Sequence, residues 1–475
     1  MESHSVPADQ PMHCAFGDTD LDSLYVTTAG GGLFPGARRR PRGTGIAQRP
    51  VTGGLARAVR ARRYPLVSGL ALAYSLALLG DQMLYVFLPS HPAAAGITAA
   101  SLGIILSANR FVRLLANSLG GLVSDRIGRR RPYLIGMVLA LASTAGYLAS
   151  SSFWPLLVSR VIWGIAFALI SVGGVAIMLD LSTAEDRGRT VGTYQSLLQL
   201  GTLLGLVLSG VLTDLVGYRG TLAIYVPLAA AGLVSAVLVL RASDAEGAGG
   251  RVRSESRSDR SDGAASVGTL GILRCLDPRL LVPAYVAFAS LFTGSGVLMA
   301  TLGVYLKQLA AGDGGGLLVP VASLTGILLA SRRLAGMIEA PIAGRLLDRF
   351  SDRRVVAAAG VVVSLAGFAL LASGRATGAV VVGVLLVAIG EGALSPALTV
   401  WAGDGAPPHL RGVVMGGLAT AGDLGAALGP LVGYAMAETV GLPSAYALCG
   451  VLLLTALLLL ASVRAAAPAP EHGHA

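Results

Sequence analysis

Several ionisable residues fall inside long apolar runs of this chain, among them Asp81, Arg110, Arg113, Arg160, Glu339, Glu391 and Asp423. A charge at the centre of a membrane helix costs about 2.5–3.5 kcal/mol on insertion scales, so such groups face a cavity or a partner. A buried carboxylate can bind and release a proton because burial opposes its charged form, and a guanidinium can hold an anion or neutralise the acid. Glu391 and Asp423, followed by Glu339 and then Asp81, are therefore the candidates for carrying a coupling proton in competition with a substrate. Fixed salt bridges between helices are the alternative use of the same charges.

At ~1.5 Å per helical residue, Arg113 lies ~18 Å from Asp125 and Glu339 ~13 Å from Asp348, near the middle of a ~30 Å hydrocarbon layer. Glu391 and Asp423 fall at similar depth, with Arg110 and Arg160 nearer one surface. Asp81 apart, the arginines among these sit in the first half of the chain and the acids in the second, so a basic wall is expected to oppose an acidic one. Arg332 and Arg333 make that contrast partial. Gly390 and Gly392 flank Glu391 and Pro396 follows, which leaves backbone room for a ligand.

The elements that must position these residues follow from composition. The chain has 475 residues, of which 54% are hydrophobic and 13% charged, with a mean hydropathy of +0.70. That excludes an ordinary soluble globular protein, and the ~20-residue apolar runs without strict alternation indicate membrane helices, not a barrel. Twelve spans are expected near 66–89, 99–122, 133–150, 154–179, 191–214, 221–241, 281–306, 317–344, 355–373, 379–403, 413–437 and 441–463. The net charge of +10 is topological, not a nucleic-acid footprint. Arginines crowd alternate loops, including Arg126, Arg129, Arg130, Arg131, Arg187, Arg189, Arg353 and Arg354, while the opposite loops keep Arg219, Lys307 and Arg375. Both termini are accordingly expected in the cytoplasm of a cell whose plasma membrane the chain spans repeatedly.

The expected organisation is a disordered basic cytoplasmic arm over 1–63, a six-helix bundle over 64–241, a Ser-, Asp-, Gly- and Arg-rich cytoplasmic linker over 242–279, a second bundle over 280–464 and a tail over 465–475. Cys14, Cys275 and Cys449 have no metal or disulfide spacing. Neither a phosphate loop nor a nucleophile elbow stands out, so neither enzymatic activity, a cofactor nor a metal is expected.

The halves repeat. Gly121, Asp125 and Arg126 recur as Gly344, Asp348 and Arg349, with 344−121 = 348−125 = 349−126 = 223. The same shift sets Arg130 and Arg131 opposite Arg353 and Arg354, and Arg110 opposite Arg333. Asp180, Arg187 and Gly188 recur as Asp404, Arg411 and Gly412 at 224, as do Gly201-x-x-x-Gly205 and Gly425-x-x-x-Gly429. Such glycine pairs let helices approach closely.

These residues resemble the major facilitator superfamily, twelve-helix secondary transporters built as two six-helix bundles. Its loop 2–3 signature matches at Gly121, Asp125, Arg126, Gly128, Arg129 and Arg130. A looser helix 4 signature matches as Leu157-x-x-Arg160-x-x-Trp163-Gly164, and Leu206 stands where the antiporter signature of helix 5 has proline. The resemblance implies an all-α fold with pseudo-two-fold symmetry, alternating access about a central site, and a role for Arg160 in proton coupling. Asp125 is expected to accept from free backbone donors at the start of helix 11, and the loop arginines to pair with Asp180, latching the cytoplasmic side shut. The leading expectation is a monomeric proton-coupled antiporter exporting a small organic molecule, nearest the drug/proton branch. Proton-coupled uptake of an organic anion or nutrient, or a membrane sensor that no longer transports, are the alternatives.

Overall fold

The computed structural model describes residues 11–17, 23–28, 33–35, 52–182, 186–247, 278–312, 319–349, 352–374, 376–406 and 411–462. The chain divides into two units, Met1–Arg60 and Ala61–Ala475. In the first, where the sequence suggests an arm without structure, β1 (Pro11–Gly17), β2 (Ser23–Thr28) and β3 (Leu33–Pro35) form an antiparallel sheet in that order. The Leu-Tyr-Val-Thr-Thr run of β2 has the β-branched and aromatic character that favours a strand.

The remainder is helical. The first half comprises α1 (Thr52–Phe87), α2 (Ala99–Ile127), α3 (Arg130–Ala149), α4 (Phe153–Leu181) and a run Arg187–Gly247. That run is broken at Gly217, whose φ of 73° is a left-handed value suited to glycine, into α5 (187–216) and α6 (218–247). In the second half, Pro278–Ser290, a π-helical stretch Leu291–Leu298 and Met299–Gly312 follow one another as α7 (278–312). Then come α8 (Val321–Arg349), α9 (Arg353–Ser373), α10 (Thr377–Gly405), α11 (Arg411–Thr439) and α12 (Leu442–Ser462). These twelve helices among the described residues match the expected spans. The linker is shorter than expected at its start, because α6 continues to Gly247. Residues 248–277 and the tail lie outside the described residues.

The two halves pack alike. α2 and α3 both lie on α4 as α8 and α9 lie on α10, and α9 packs on α12 as α3 meets α6, where Tyr218 donates to the Tyr147 carbonyl. The glycine pairs serve packing within each half: Gly201 and Gly205 seat α5 on Ser75 and Leu79 of α1, while Gly425 and Gly429 seat α11 on Phe288, Phe292 and Gly296 of α7. Large apolar side chains such as Leu72, Leu115, Trp154, Leu238 and Leu458 stay exposed, as lipid-facing residues do.

The halves meet along α2–α11 and α5–α8. They touch closely at the end where α1 stops and α2 begins, called here the far end. A Cβ added at Gly326 of α8 would lie 2.5 Å from the Leu206 carbonyl of α5, and one at Gly210 of α5 would lie 2.6 Å from that of Ala322. Gly103 of α2 similarly abuts Pro430 and Leu431 of α11. Among the described glycines, the close approaches between the halves therefore lie at the far end; the opposite end is called the near end.

Candidate functional site

Three charged clusters lie within the helices. In the first half, α4 brings Arg160, fully buried, against the Asp81 carboxylate of α1. The same guanidinium donates to the Tyr85 hydroxyl at 2.9 Å, the Asn109 side-chain oxygen at 3.0 Å and the Ile105 carbonyl at 3.1 Å. Each partner comes from α1 or α2, so Arg160 ties three helices of one bundle together.

In the second half, Arg332 of α8 pairs with Glu391 of α10 and donates to the Gly294 carbonyl of α7 at 2.9 Å. The π-helical widening of α7 and the missing side chain at Gly294 make this possible, because a Cβ there would collide with Glu391. Glu391 Oε1 is buried without a hydrogen-bond partner. Glu339 of α8 packs against Gly392 of α10, and its Oε2 is likewise buried and unpartnered.

The third cluster joins the halves. Arg113 of α2 lies 3.7 Å from Asp423 of α11, with its guanidinium 3.8 Å from the ring centroid of Phe167 on α4. One turn earlier, Arg110 reaches the Met299 sulfur of α7 at 3.7 Å. The expected opposition of a basic and an acidic wall is thus corrected: Glu391 is paired within its own bundle, Asp81 within the other, and only Asp423 meets an arginine across the interface. The reason is local, since Arg332 sits on the face of α8 that packs against α10.

Two cavities share Arg333 of α8. One, of about 250 Å³, is lined by residues including Tyr74, Gln82, Phe167, Tyr194 and Gln195 from the first half. The other, of about 90 Å³, is lined by residues including Leu206, Ser295, Met299, Arg332 and Glu391.

At the near end, Arg129 pairs with Asp180 and donates to the Ala176 carbonyl at 3.0 Å. The pair recurs as Arg353 and Asp404, 3.4 Å apart, with 353−129 = 404−180 = 224. This revises the sequence register, in which Arg353 stood opposite Arg130. Asp125 to Asp348 is a shift of 223, so the second copy of the turn holds one extra residue between positions 348 and 353. Beside it, the Arg354 guanidinium holds the Asp352 carboxyl below its usual range. Gly128 ends α2 with φ 83° and nothing close to its Cα, and Arg130 opens α3. The side chains of Asp125 and Arg126, with Gly121, lie outside the described residues, as does the start of α11 that Asp125 was expected to meet.

The far end carries contacts that sequence reasoning missed. Asp214, near the end of α5, accepts from the Ser323 backbone N–H at 2.7 Å and its hydroxyl at 2.5 Å, capping the first turn of α8 from the other bundle. Lys307 of α7 donates to the Ser90 carbonyl at 2.6 Å. The available signal was the acid at the end of helix 5, which recurs as Glu438, 438−214 = 224. Next to Lys307, the imidazole of His91 stacks on Phe87 and meets the Ser90 hydroxyl at 2.9 Å. Burial, aided by Lys307 and opposed by Asp214, pushes His91 below its ordinary 6.5.

A family model described as Major Facilitator Superfamily matches residues 70–339 and 321–475. A probable vesicular acetylcholine transporter of Danio rerio is 29% identical over 227 residues, 45% of this chain and 44% of that protein. A quinolone resistance protein of Staphylococcus aureus is 24% identical over 139 residues, 29% of this chain and 36% of that protein. The chain thus aligns with less than half the length of these relatives. The crystal structure of a nucleoside transporter superposes with a TM-score of 0.65 at 14% identity, covering 84% of this chain and 99% of the other.

Proposed function

Because the chain belongs to the Major Facilitator Superfamily, we propose that it is a proton-coupled secondary transporter that exports a small organic molecule by alternating access. The observation that carries this reading is the set of charges within the helices beside cavities between two halves that touch closely at the far end. Glu391 is held by Arg332 yet keeps one carboxylate oxygen without a partner. A proton arriving there weakens the pair and frees Arg332, while loss of the proton restores it. Asp423 and Arg113 do the same across the interface, so their protonation changes how strongly α2 holds α11. A substrate that competes for these groups exchanges with the proton. Arg160 and Asp81 have less freedom: with Tyr85, Asn109 and the Ile105 carbonyl also bound to the guanidinium, they act as a rigid strut.

Outward direction draws on the likeness to a relative named for quinolone resistance, since resistance conferred by a transporter means moving a compound away from the cytoplasm. The arginine-rich near end, including Arg129, Arg130 and Arg353, is the cytoplasmic face by the charge rule, in a plasma membrane. On that assignment the conformation described is inward-facing, and the Arg129–Asp180 and Arg353–Asp404 pairs belong to the gate that closes in the opposite state.

The test is pH inside inverted vesicles holding the protein under an imposed proton gradient, while cationic, zwitterionic and anionic compounds are added. Substrate-triggered proton movement out of the vesicles, lost in Glu391→Gln or Asp423→Asn, is the expected result. Proton movement in the same direction as substrate makes the protein an uptake symporter. Flux indifferent to the gradient contradicts coupling altogether.

A further inference from the structure

The central charges do not balance. Arg332 is matched by Glu391 and Arg113 by Asp423. Arg110 meets the neutral Met299 sulfur and Tyr85, its guanidinium carbon 5.7 Å from that ring, and has no paired acid among the described residues, with its Nε buried without a partner. Arg333 makes no hydrogen bond or ion pair among the described residues, although it lies within electrostatic range of Arg110, Arg113 and Arg332 and of one acid, Glu391, already engaged. Glu339, six residues further along α8, is turned toward Gly392. Cations at this depth without a counter-charge are costly, so something outside the chain must complete them.

The cavity beside Arg333 has matching features. Of its lining residues, Arg333 is the one that carries charge, and no carboxylate lines it. Two more of them hold unpartnered polar atoms although their side chains are more than nine-tenths buried: Gln82 through Oε1 and Tyr194 through its hydroxyl. Around these stand Tyr74 and Phe167. The result is one free cation lining a mostly apolar chamber of about 250 Å³, with the Tyr194 hydroxyl left over as a donor and the Gln82 oxygen as an acceptor. A planar guanidinium with free N–H groups is suited to bidentate binding of a carboxylate or phosphate-class oxyanion.

We propose that the transported molecule is an organic monoanion, its acidic headgroup held by Arg333 with Arg110 behind it and its apolar body lying among Tyr74, Phe167 and Tyr194. This rests on the reading of the central region as a transport site, and adds the charge class.

The experiment measures binding, so that it stands apart from transport. Purified protein is titrated, by thermal stabilisation, with three isosteric probes: an aromatic monocarboxylate, its primary amide and the corresponding ammonium compound. The carboxylate is expected to raise the melting temperature saturably, the amide and ammonium to have no effect, and Arg333→Gln to weaken carboxylate binding at least tenfold while Arg333→Lys recovers part of it. Equal stabilisation by all three probes, preference for the ammonium, or unchanged affinity in a folded Arg333→Gln variant overturns the proposal. Should that variant not fold, charge discrimination by the wild type decides. Anion binding without proton-linked flux would leave this assignment standing and remove the proposed coupling.

Discussion

Arg160 and Asp81, set beside Arg332 and Glu391, show how the same residue types take opposite roles. Removing one member of a buried, hydrogen-bonded pair leaves an uncompensated charge, which costs about 3–5 kcal/mol. Asp81→Ala is therefore expected to lower the melting temperature sharply and cut monodisperse yield, measured by thermal unfolding in detergent, because Arg160 then keeps its burial without its counter-ion. Glu391→Gln should lower the melting temperature less, since the amide oxygen still accepts from Arg332 and that pair is more exposed than Arg160 and Asp81. A wild-type melting curve for Asp81→Ala would show that the strut carries no stability. The identity of these charges was legible in the sequence, because a charge in an apolar run cannot be missed. Their pairing was not: Asp81 and Arg160 are 79 residues apart and Arg332 and Glu391 are 59 apart. Only the register of one helix against another decides which arginine neutralises which acid.

At the scale of elements, the far-end contacts set which state predominates. Asp214 caps α8 across the interface, and hydrogen bonds to charged groups contribute about 1.5–3 kcal/mol. Asp214→Ala should accordingly shift the population toward far-end opening by roughly ten- to a hundredfold. The readout is the labelling rate of Ser295→Cys by an impermeant thiol reagent supplied from the far side, and an unchanged rate contradicts the latch. Gly326→Val tests the same seam by steric means. With so little space to the Leu206 carbonyl, the added side chain wedges α5 from α8, and transport is expected to be lost while folded yield is kept.

His91 adds a pH dependence to that seam. Its value is depressed in the closed form and ordinary once solvated, so the closed form binds fewer protons and is favoured above pH 6.5. As pH falls from 6.5 through the depressed value, that preference is lost and the far end opens more readily. His91→Gln should flatten the dependence of Ser295→Cys labelling on far-side pH. Helix positions and the duplication were legible in the sequence, because hydropathy and the repeated glycine and charge spacing record them directly. The extra residue in the second turn emerged only when the Arg353–Asp404 pair was seen to match Arg129–Asp180. Asp214 and Lys307 were passed over because their partners are a backbone N–H and a carbonyl, 109 and 217 residues away.

For the whole molecule, the duplication explains why one chain can hold two states. Each half is internally bound by a buried charged pair, Asp81–Arg160 or Arg332–Glu391, and by glycine-seated helices, so each can move as a body. Between them lie weaker links: Arg113–Asp423 at the centre, Asp214–Ser323 and Lys307–Ser90 at the far end. On the proposed reading, closing the near end requires breaking the far-end set, and the proton and substrate act through the central charges to tilt that exchange. The most direct measurement is a pair of spin-label distances in lipid nanodiscs, one across the far ends of α5 and α8 and one across their near ends, at neutral pH and on acidification. The account predicts two populations that trade places with pH, the far-end distance lengthening as the near-end distance shortens, with the exchange lost in a Glu391→Gln Asp423→Asn double variant. A single far-end distance unmoved by pH, or both ends widening together, would contradict alternating access driven by the central acids.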